Sequence, residues 1–285
     1  MSDAPKKGKV AVSEQTKVEI IAVGNELLLG DVLDSNTNWL CKRITGVGGQ
    51  VRRAVMVRDE LEAIISEIQS AVKRGTELII TTGGLGPTGD DITLQAVAEA
   101  TARPLELHPE AVALVRAKYK ELAESGYVED AGLTEAREKM AYLPKGAVPL
   151  ANPVGAAPAV ILEMTGSTLV CLPGVPEELE GIYEGSLQPA LESLFGESFY
   201  QDRSVVARCG DESMLAPVLR EVVEAHPDVY VKSRARRFGP EVKILITLSS
   251  AGERRERVEE EISHAVGHLT MALSEAAIAV EEEDG

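Results

Sequence analysis

Between Lys17 and Leu172, short apolar runs alternate with stretches in which apolar residues recur every three or four positions, and each change of period falls at glycine, proline or a cluster of Asp, Ser and Asn. Unbroken apolar runs of a few residues mark strands, and a period near 3.6 marks helices. Strands are therefore expected over 18–23, 50–57, 77–81, 159–162 and 168–172. Between them, Asp34-Ser35-Asn36-Thr37 offers cap chemistry for a helix with Trp39, Leu40, Ile44 and Val47 on its apolar face, stopped by Gly46, Gly48 and Gly49. Asp59 and Glu62 have capping-box spacing ahead of Leu61, Ile64, Ile65, Ile68 and Val72. Further helices are expected over 91–102, over 109–125 with Val112, Val115, Tyr119 and Leu122 inward, over 134–141, and from Glu177-Glu178 onward. Strands alternating with helices predict a largely parallel sheet flanked by helices, an α/β domain.

The pattern changes near Gln201. A strand at 204–208, a helix at 211–225 with Met214, Leu215, Val218, Leu219 and Val222 inward, two strands at 229–233 and 242–248, and a long helix carrying Val258, Ile262, Val266 and Leu269 give the order βαββα. That order predicts a second, smaller α+β domain. The expected division is a loose tail at 1–16, a larger domain at 17–200, the small domain at 201–275 and an acidic tail at 276–285.

Composition narrows the chemistry. A hydrophobic content of 44% over 285 residues supplies a sizeable core. No run approaches eighteen apolar residues and the first sixteen carry no apolar signal region, so the expectation is a soluble, cytoplasmic protein that does not insert into membranes. Cys41, Cys171 and Cys209 are widely spaced, which argues against a zinc site or a disulfide framework. His108, His226, His264 and His268 form no metal motif with one another. With 29 Lys and Arg against 46 Asp and Glu, the net charge of −17 disfavours nucleic acid as a partner. Lys232, Arg234, Arg236 and Arg237 are the one cationic cluster away from the tail, and suit a solvated hairpin loop.

The most informative segment is Thr82-Gly83-Gly84-Leu85-Gly86-Pro87-Thr88-Gly89-Asp90-Asp91-Ile92-Thr93, which follows a strand and precedes a helix. Glycines in such a turn reach positive φ and let a ligand approach the backbone, so Gly83, Gly84 and Gly86 can aim N–H groups at an anion, with the hydroxyls of Thr82 and Thr88 as further donors. A helix starting near Asp90 or Asp91 would add its dipole. Two carboxylates beside a phosphate call for a divalent cation, Mg²⁺ or Mn²⁺, between them. The same acids also suit a helix N-cap, and the residues leave both readings open.

Five segments in this order resemble the CinA N-terminal family, a branch of the MoaB/Mog molybdopterin-binding domains: Gly24-Asn25-Glu26-Leu27-Leu28-Leu29-Gly30, Asp34-Ser35-Asn36, the Thr82 to Thr93 turn, Asn152-Pro153-Val154-Gly155-Ala156-Ala157-Pro158, and Leu172-Pro173-Gly174-Val175-Pro176-Glu177-Glu178. The resemblance covers roughly residues 17–185 and continues more loosely at Asp211-Glu-Ser and Tyr230 to Arg234. It implies a three-layer αβα MoaB/Mog-like domain with its pocket at the carboxyl ends of the strands.

For activity, the resemblance implies metal-dependent hydrolysis, with Mg, Mn or Co, of the pyrophosphate in ADP-ribose-like nucleotides. The Mog relatives instead bind molybdopterin and adenylylate it, so the ligand class is a nucleotide or pterin phosphate. Full-length CinA proteins also carry a nicotinamide-mononucleotide deamidase domain; this chain ends before one would fit, and that activity is not carried over. Related domains commonly assemble, so a homo-oligomer is expected. By the resemblance, Asp59 and Asp91 match acidic catalytic positions, Asp90, Asp91 and Glu26 would hold metal, and Gly24, Asn25, Asp34, Asn36 and Thr93 belong to the ligand-binding segments. Asn152, Gly155, Pro173 and Gly174 are expected across the pocket from the glycine turn, holding base or pterin and ribose. Helix capping competes for Asp34 and Asp59, and tight-turn geometry for the last four.

Overall fold

A computed structural model describes residues 16–195, 199–209, 212–235, 243–252 and 254–281. Asp211, Arg236, Arg237, Val242 and all but the last residue of the 1–16 tail lie outside the described residues. The chain forms two compact units, one of residues 15–45 and 49–195 and the other made chiefly of the residues after Phe195, with 46–48 grouped with it.

In chain order the first unit contains β1 (Lys17–Val23), α1 (Asn25–Leu29), α2 (Ser35–Gly46), β2 (Gln50–Val57), α3 (Leu61–Lys73), β3 (Leu78–Thr82) and α4 (Thr93–Ala100). Then come β4 (Leu105–Leu107), α5 (Pro109–Glu124), α6 (Glu135–Lys139), β5 (Tyr142–Pro144), β6 (Val148–Leu150), β7 (Ala159–Met164), β8 (Ser167–Leu172) and α7 (Pro176–Ile182). A π-helical turn, Tyr183–Leu187, leads into α8 (Gln188–Phe195). The main sheet runs β2-β1-β3-β8-β7-β6, and β4 pairs with β5 in a separate ribbon. β2, β1, β3 and β8 are parallel, while β7 and β6 are antiparallel.

Every residue of β3 and of β8 is buried, as strands covered by helices on both faces must be. One face carries Ile21, Val23 and Ile79 and packs with Ile64 and Ile68 of α3, Val97 of α4 and Val115 of α5. The other carries Val18, Ile20, Leu78 and Ile80 and packs with Leu40 and Ile44 of α2 and Leu179 and Ile182 of α7. The unit is therefore a three-layer αβα sandwich.

Glu19 is the polar exception in β1, at 4% exposure. Its carboxylate takes both Nε and Nη2 of Arg74, at 2.8 and 2.6 Å, and the hydroxyl of Thr76 at 2.6 Å. Burial alone would raise its pKa, but the hydrogen bonds from Arg74 and Thr76 and the charges of Arg74 and Arg53 hold it below the usual carboxylate range.

Several boundaries differ from the sequence pattern for local reasons. α4 begins at Thr93 with Ile92 at its cap, rather than at Asp90 or Asp91, because Asp91 spends its carboxylate within the preceding turn. Glu60, not Asp59, occupies the cap of α3. Val72, expected inward, is 41% exposed.

The second unit comprises β9 (Phe199–Arg208), a 3₁₀ turn (Glu212–Met214), α9 (Ala216–Ala225), β10 (Tyr230–Ala235), β11 (Lys243–Gly252), α10 (Arg255–Glu275) and β12 (Ala279–Glu281). Its antiparallel sheet runs β10-β11-β9-β12. Ile244, Ile246 and Leu248 alternate inward on β11 and pack with Val218 and Val222 of α9 and Ile262 and Leu269 of α10. β9 starts at Phe199, ahead of the expected boundary. Of the expected acidic tail, residues 282–285 lie outside the described residues, while residues 279–281 pair with β9, where Glu281 meets Arg208 and lies 2.6 Å from Lys243. Two cations and a strand partner make this acidic residue part of the sheet.

Candidate functional site

The carboxyl ends of β1, β2, β3 and β8 lie side by side, and the turns that leave them are stitched together. Gly24 N–H donates to Val57 O at 3.0 Å, and Gly83 N–H to Leu172 O at 2.9 Å. Asn25 N–H donates to Asp59 Oδ2 at 2.8 Å, and Asn36 Nδ2 to Gly174 O at 2.7 Å. Gly83 has φ +94°, and a Cβ on it would stand 2.2 Å from Val23 O. A Cβ on Gly174 would stand 3.4 Å from Gly83 Cα. The glycines at these ends let adjacent turns pack backbone to backbone.

The glycine turn then separates from the sheet. Thr93 is fully buried, donates its hydroxyl to Gly83 O at 2.8 Å and its N–H to Gly84 O at 3.1 Å. Thr93 thus anchors the turn from beneath, and its hydroxyl does not face a ligand. Thr82, at 3% exposure, is likewise enclosed in β3. Beyond these anchors the N–H groups of Gly84, Leu85 and Gly86 have no internal partner among the described residues. The same three residues line a cavity of about 610 Å³ together with Asp91, Leu94, Gln95, Leu105, Glu135, Glu138, Lys139 and Tyr142.

Asp91 Oδ2 accepts the Thr88 N–H at 2.8 Å and lies against the Thr88 hydroxyl, which also faces Asp90 Oδ1. The hydroxyl has one proton for two carboxylates. Its hydrogen bond, Asp90's own N–H and the charge of Lys139 hold the Asp90 carboxyl below its ordinary range. Two carboxylates and a hydroxyl are an all-oxygen donor set that suits a hard divalent cation completed by water and phosphate oxygens.

Glu26 does not join them. Its carboxylate stands over Gly24, where a Cβ would meet Oε1 at 2.5 Å, and among the described residues no group of three or more His, Cys, Asp or Glu gathers as a metal cage. The expected trio of Glu26, Asp90 and Asp91 is thereby reduced to the adjacent pair with Thr88. Asp34 acts as a helix cap, its Oδ1 accepting Thr37 N–H at 2.9 Å.

The 152–158 segment is also placed differently from the sequence expectation. Asn152 and Gly155 line a separate cavity of about 160 Å³ beside Lys118 and Glu121. Asn152 Oδ1 accepts the N–H groups of Val154 and Gly155, at 3.0 and 2.8 Å, and its Nδ2 donates to Ala157 O and Glu178 Oε2, at 2.9 and 2.7 Å. Three of these bonds close the turn on itself and the fourth ties it to Glu178 of α7, and neither Asn152 nor Gly155 lines the 610 Å³ cavity. Burial raises the Glu178 carboxyl above its usual range against the lowering hydrogen bond from Asn152.

Sequence reasoning missed the wall contributed by α6 and the β4–β5 ribbon: Leu105, Glu135, Glu138, Lys139 and Tyr142. The available signal was the cap residue Thr134 ahead of a short charged helix, but β4 and β5 are three residues each and have no periodicity to read. Among the described residues, no helix is long and apolar enough to cross a membrane.

Residues 19–193 match the family described as "Probable molybdopterin binding domain". A protein of Aeropyrum pernix is 40% identical over 276 residues, covering 96% of this chain and 99% of that relative. One of Pyrobaculum arsenaticum is 42% identical over 239 residues, or 83% of this chain and 87% of the relative. Among solved structures, the protein CinA of Thermoplasma acidophilum, described as of unknown function, superposes with a TM-score of 0.55 and 34% identity, covering 61% of this chain and 98% of its own. Matching architecture, glycine turn and sequence together place the chain in the molybdopterin-binding domain family of MoaB/Mog type, in its CinA-like branch.

Proposed function

We propose that the glycine turn binds the phosphate of a nucleotide and that the chain, with Mg²⁺, Mn²⁺ or Co²⁺, hydrolyses the pyrophosphate of ADP-ribose-like molecules. The observation that carries this reading is that the N–H groups of Gly84, Leu85 and Gly86, unpaired among the described residues, border the same 610 Å³ cavity as Asp91. Converging amides bind phosphate oxygens and offset the charge that grows on them during displacement. Asp90, Asp91 and Thr88 Oγ1 would hold the cation, which when bound polarises a phosphoryl oxygen and acidifies water.

Asp91 Oδ1, the carboxylate oxygen not engaged by Thr88, accepts the proton of the attacking water. Water adds to one phosphorus, the bridging P–O bond breaks, and ADP-ribose yields AMP and ribose 5-phosphate. Asp59 serves this reaction by fixing the Gly24–Asn25 turn. The test is AMP release from ADP-ribose with and without each metal; turnover that requires a metal and falls at least a hundredfold in Asp91→Asn is expected, and absence of turnover with all three ends the hydrolase reading.

The family match favours a second reading, in which the same turn holds the phosphate of molybdopterin. Pterin fluorescence copurifying with the protein, or ATP-dependent adenylylation of molybdopterin, would select it. Ligand-induced thermal stabilisation that persists in Asp91→Asn without any chemistry would instead mark a binding protein.

A further inference from the structure

We infer that Lys139 is the cation recruited by the ligand's phosphate, exchanging its bond to the Thr88 carbonyl for one to a phosphate oxygen. This inference rests on the reading of the glycine turn as a phosphate site. Lys139 closes α6 and is the one basic side chain among the cavity-lining residues, where the acids are Asp91, Glu135 and Glu138. Its Nζ donates to Thr88 O, the carbonyl of the residue whose N–H and hydroxyl engage Asp91. Lys139 therefore reaches from α6 to the glycine turn whose Gly84, Leu85 and Gly86 amides have no partner among the described residues.

Charge makes the exchange favourable. The chain carries −17, and three carboxylates border the cavity. A phosphate arriving there meets only partial positive charge from backbone amides, whereas an ammonium supplies a full unit. The carbonyl that Lys139 holds is neutral, and a charge-assisted bond to a phosphate oxygen is roughly twice as strong. A lysine has a flexible four-carbon stem and three donors, so the ammonium can change partner while α6 stays in place. The recognised chemistry is a phosphate or pyrophosphate oxyanion, whichever of nucleotide or pterin carries it.

Calorimetric titration of the full chain with ADP-ribose and with inorganic pyrophosphate, each without added divalent metal so that no turnover occurs and at several salt concentrations, tests the exchange in wild type, Lys139→Met and Lys139→Arg. Lys139→Met is expected to weaken both probes by roughly tenfold or more and to make affinity less dependent on salt, because one ion pair is gone. Lys139→Arg should retain most of the affinity, and thermal melts should show both variants folded. Unchanged affinity in Lys139→Met, or a loss with the salt dependence unchanged, overturns the role of Lys139 while leaving the phosphate site standing. Failure of the wild type to bind either probe overturns the site reading and this inference together.

Discussion

Asp59, just beyond the end of β2, accepts the backbone N–H of Asn25 at 2.8 Å and so ties together the turns that follow two neighbouring parallel strands. The bond gives this acid a contact between turns that a helix cap would not have given it. Asp59→Asn keeps an acceptor oxygen and should leave stability within about 0.5 kcal/mol, whereas Asp59→Ala leaves a donor unpaired and should cost about 1–2 kcal/mol. Urea denaturation checks the stability difference. Turnover assays on the pair decide the chemistry: a placement role predicts that Asp59→Asn retains most activity, and a direct proton-transfer role predicts that both variants lose it.

Gly84 has φ +70°, and a Cβ there would lie 2.2 Å from the buried Thr93 hydroxyl that holds the turn. Gly84→Ala is therefore expected to cost about 2–4 kcal/mol from left-handed strain and overpacking combined. Gly89→Ala in the same turn, where a Cβ meets nothing within 4 Å, should cost far less. Thermal denaturation of the two variants side by side measures the contrast.

The legible part of the site was the part made of backbone. A strand, three glycines and paired acids announce their geometry locally, and Gly84, Gly86 and Asp91 line one cavity, whereas the N–H of Gly83, expected to face an anion, is spent on Leu172 O. The illegible part depends on partners far along the chain. The family resemblance suggests a ligand contact at Asn152 while the turn-rich segment suggests tight-turn geometry, and its four hydrogen bonds are all internal, one of them to Glu178. Lys139 gave no sign of its position, since what sets α6 beside the turn is long-range, including the pairing of β4 with β5 and the stacking of Arg137 on Tyr119. The αβα layering was readable because β3 and β8 are apolar on both faces, while β12 was hidden in a run of acids.

Breaking the Glu19–Arg74 pair should destabilise the first unit. Glu19→Gln leaves Arg74 partly without its partner and is expected to cost about 2 kcal/mol, less than a fully buried pair because Arg74 is 39% exposed. The sign with pH follows from the lowered folded-state pKa. The carboxylate's contribution is complete above the ordinary glutamate range and is lost as pH falls through the lower folded value. Wild type and Glu19→Gln should therefore converge in stability on acidification, which denaturant melts between pH 7 and pH 3 would read.

His226, after α9, lies with Nε2 3.1 Å from Nδ1 of His268 on α10, whose other nitrogen meets Glu221 at 3.3 Å. Burial first, then the charges of His268 and His264, push His226 below the ordinary value of 6.5. A depressed folded-state pKa means its stabilising effect is present above 6.5 and disappears as pH falls through the folded value. Histidine NMR titration should place the His226 midpoint below 6.5, and His268→Gln should move it upward without restoring it fully, since burial remains.

The bond from Gly83 N–H to Leu172 O has a bearing on how the protein comes into being. β3 leaves the ribosome well before β8, so for the intervening period its open edge has no neighbour and the Gly83 amide has no acceptor. The chain must be carried past Leu172 before the glycine turn can set, and a nascent polypeptide stalled short of that residue would present the bare edge of a strand led by Leu78, Ile79 and Ile80 to whatever chaperone or aggregate reaches it first.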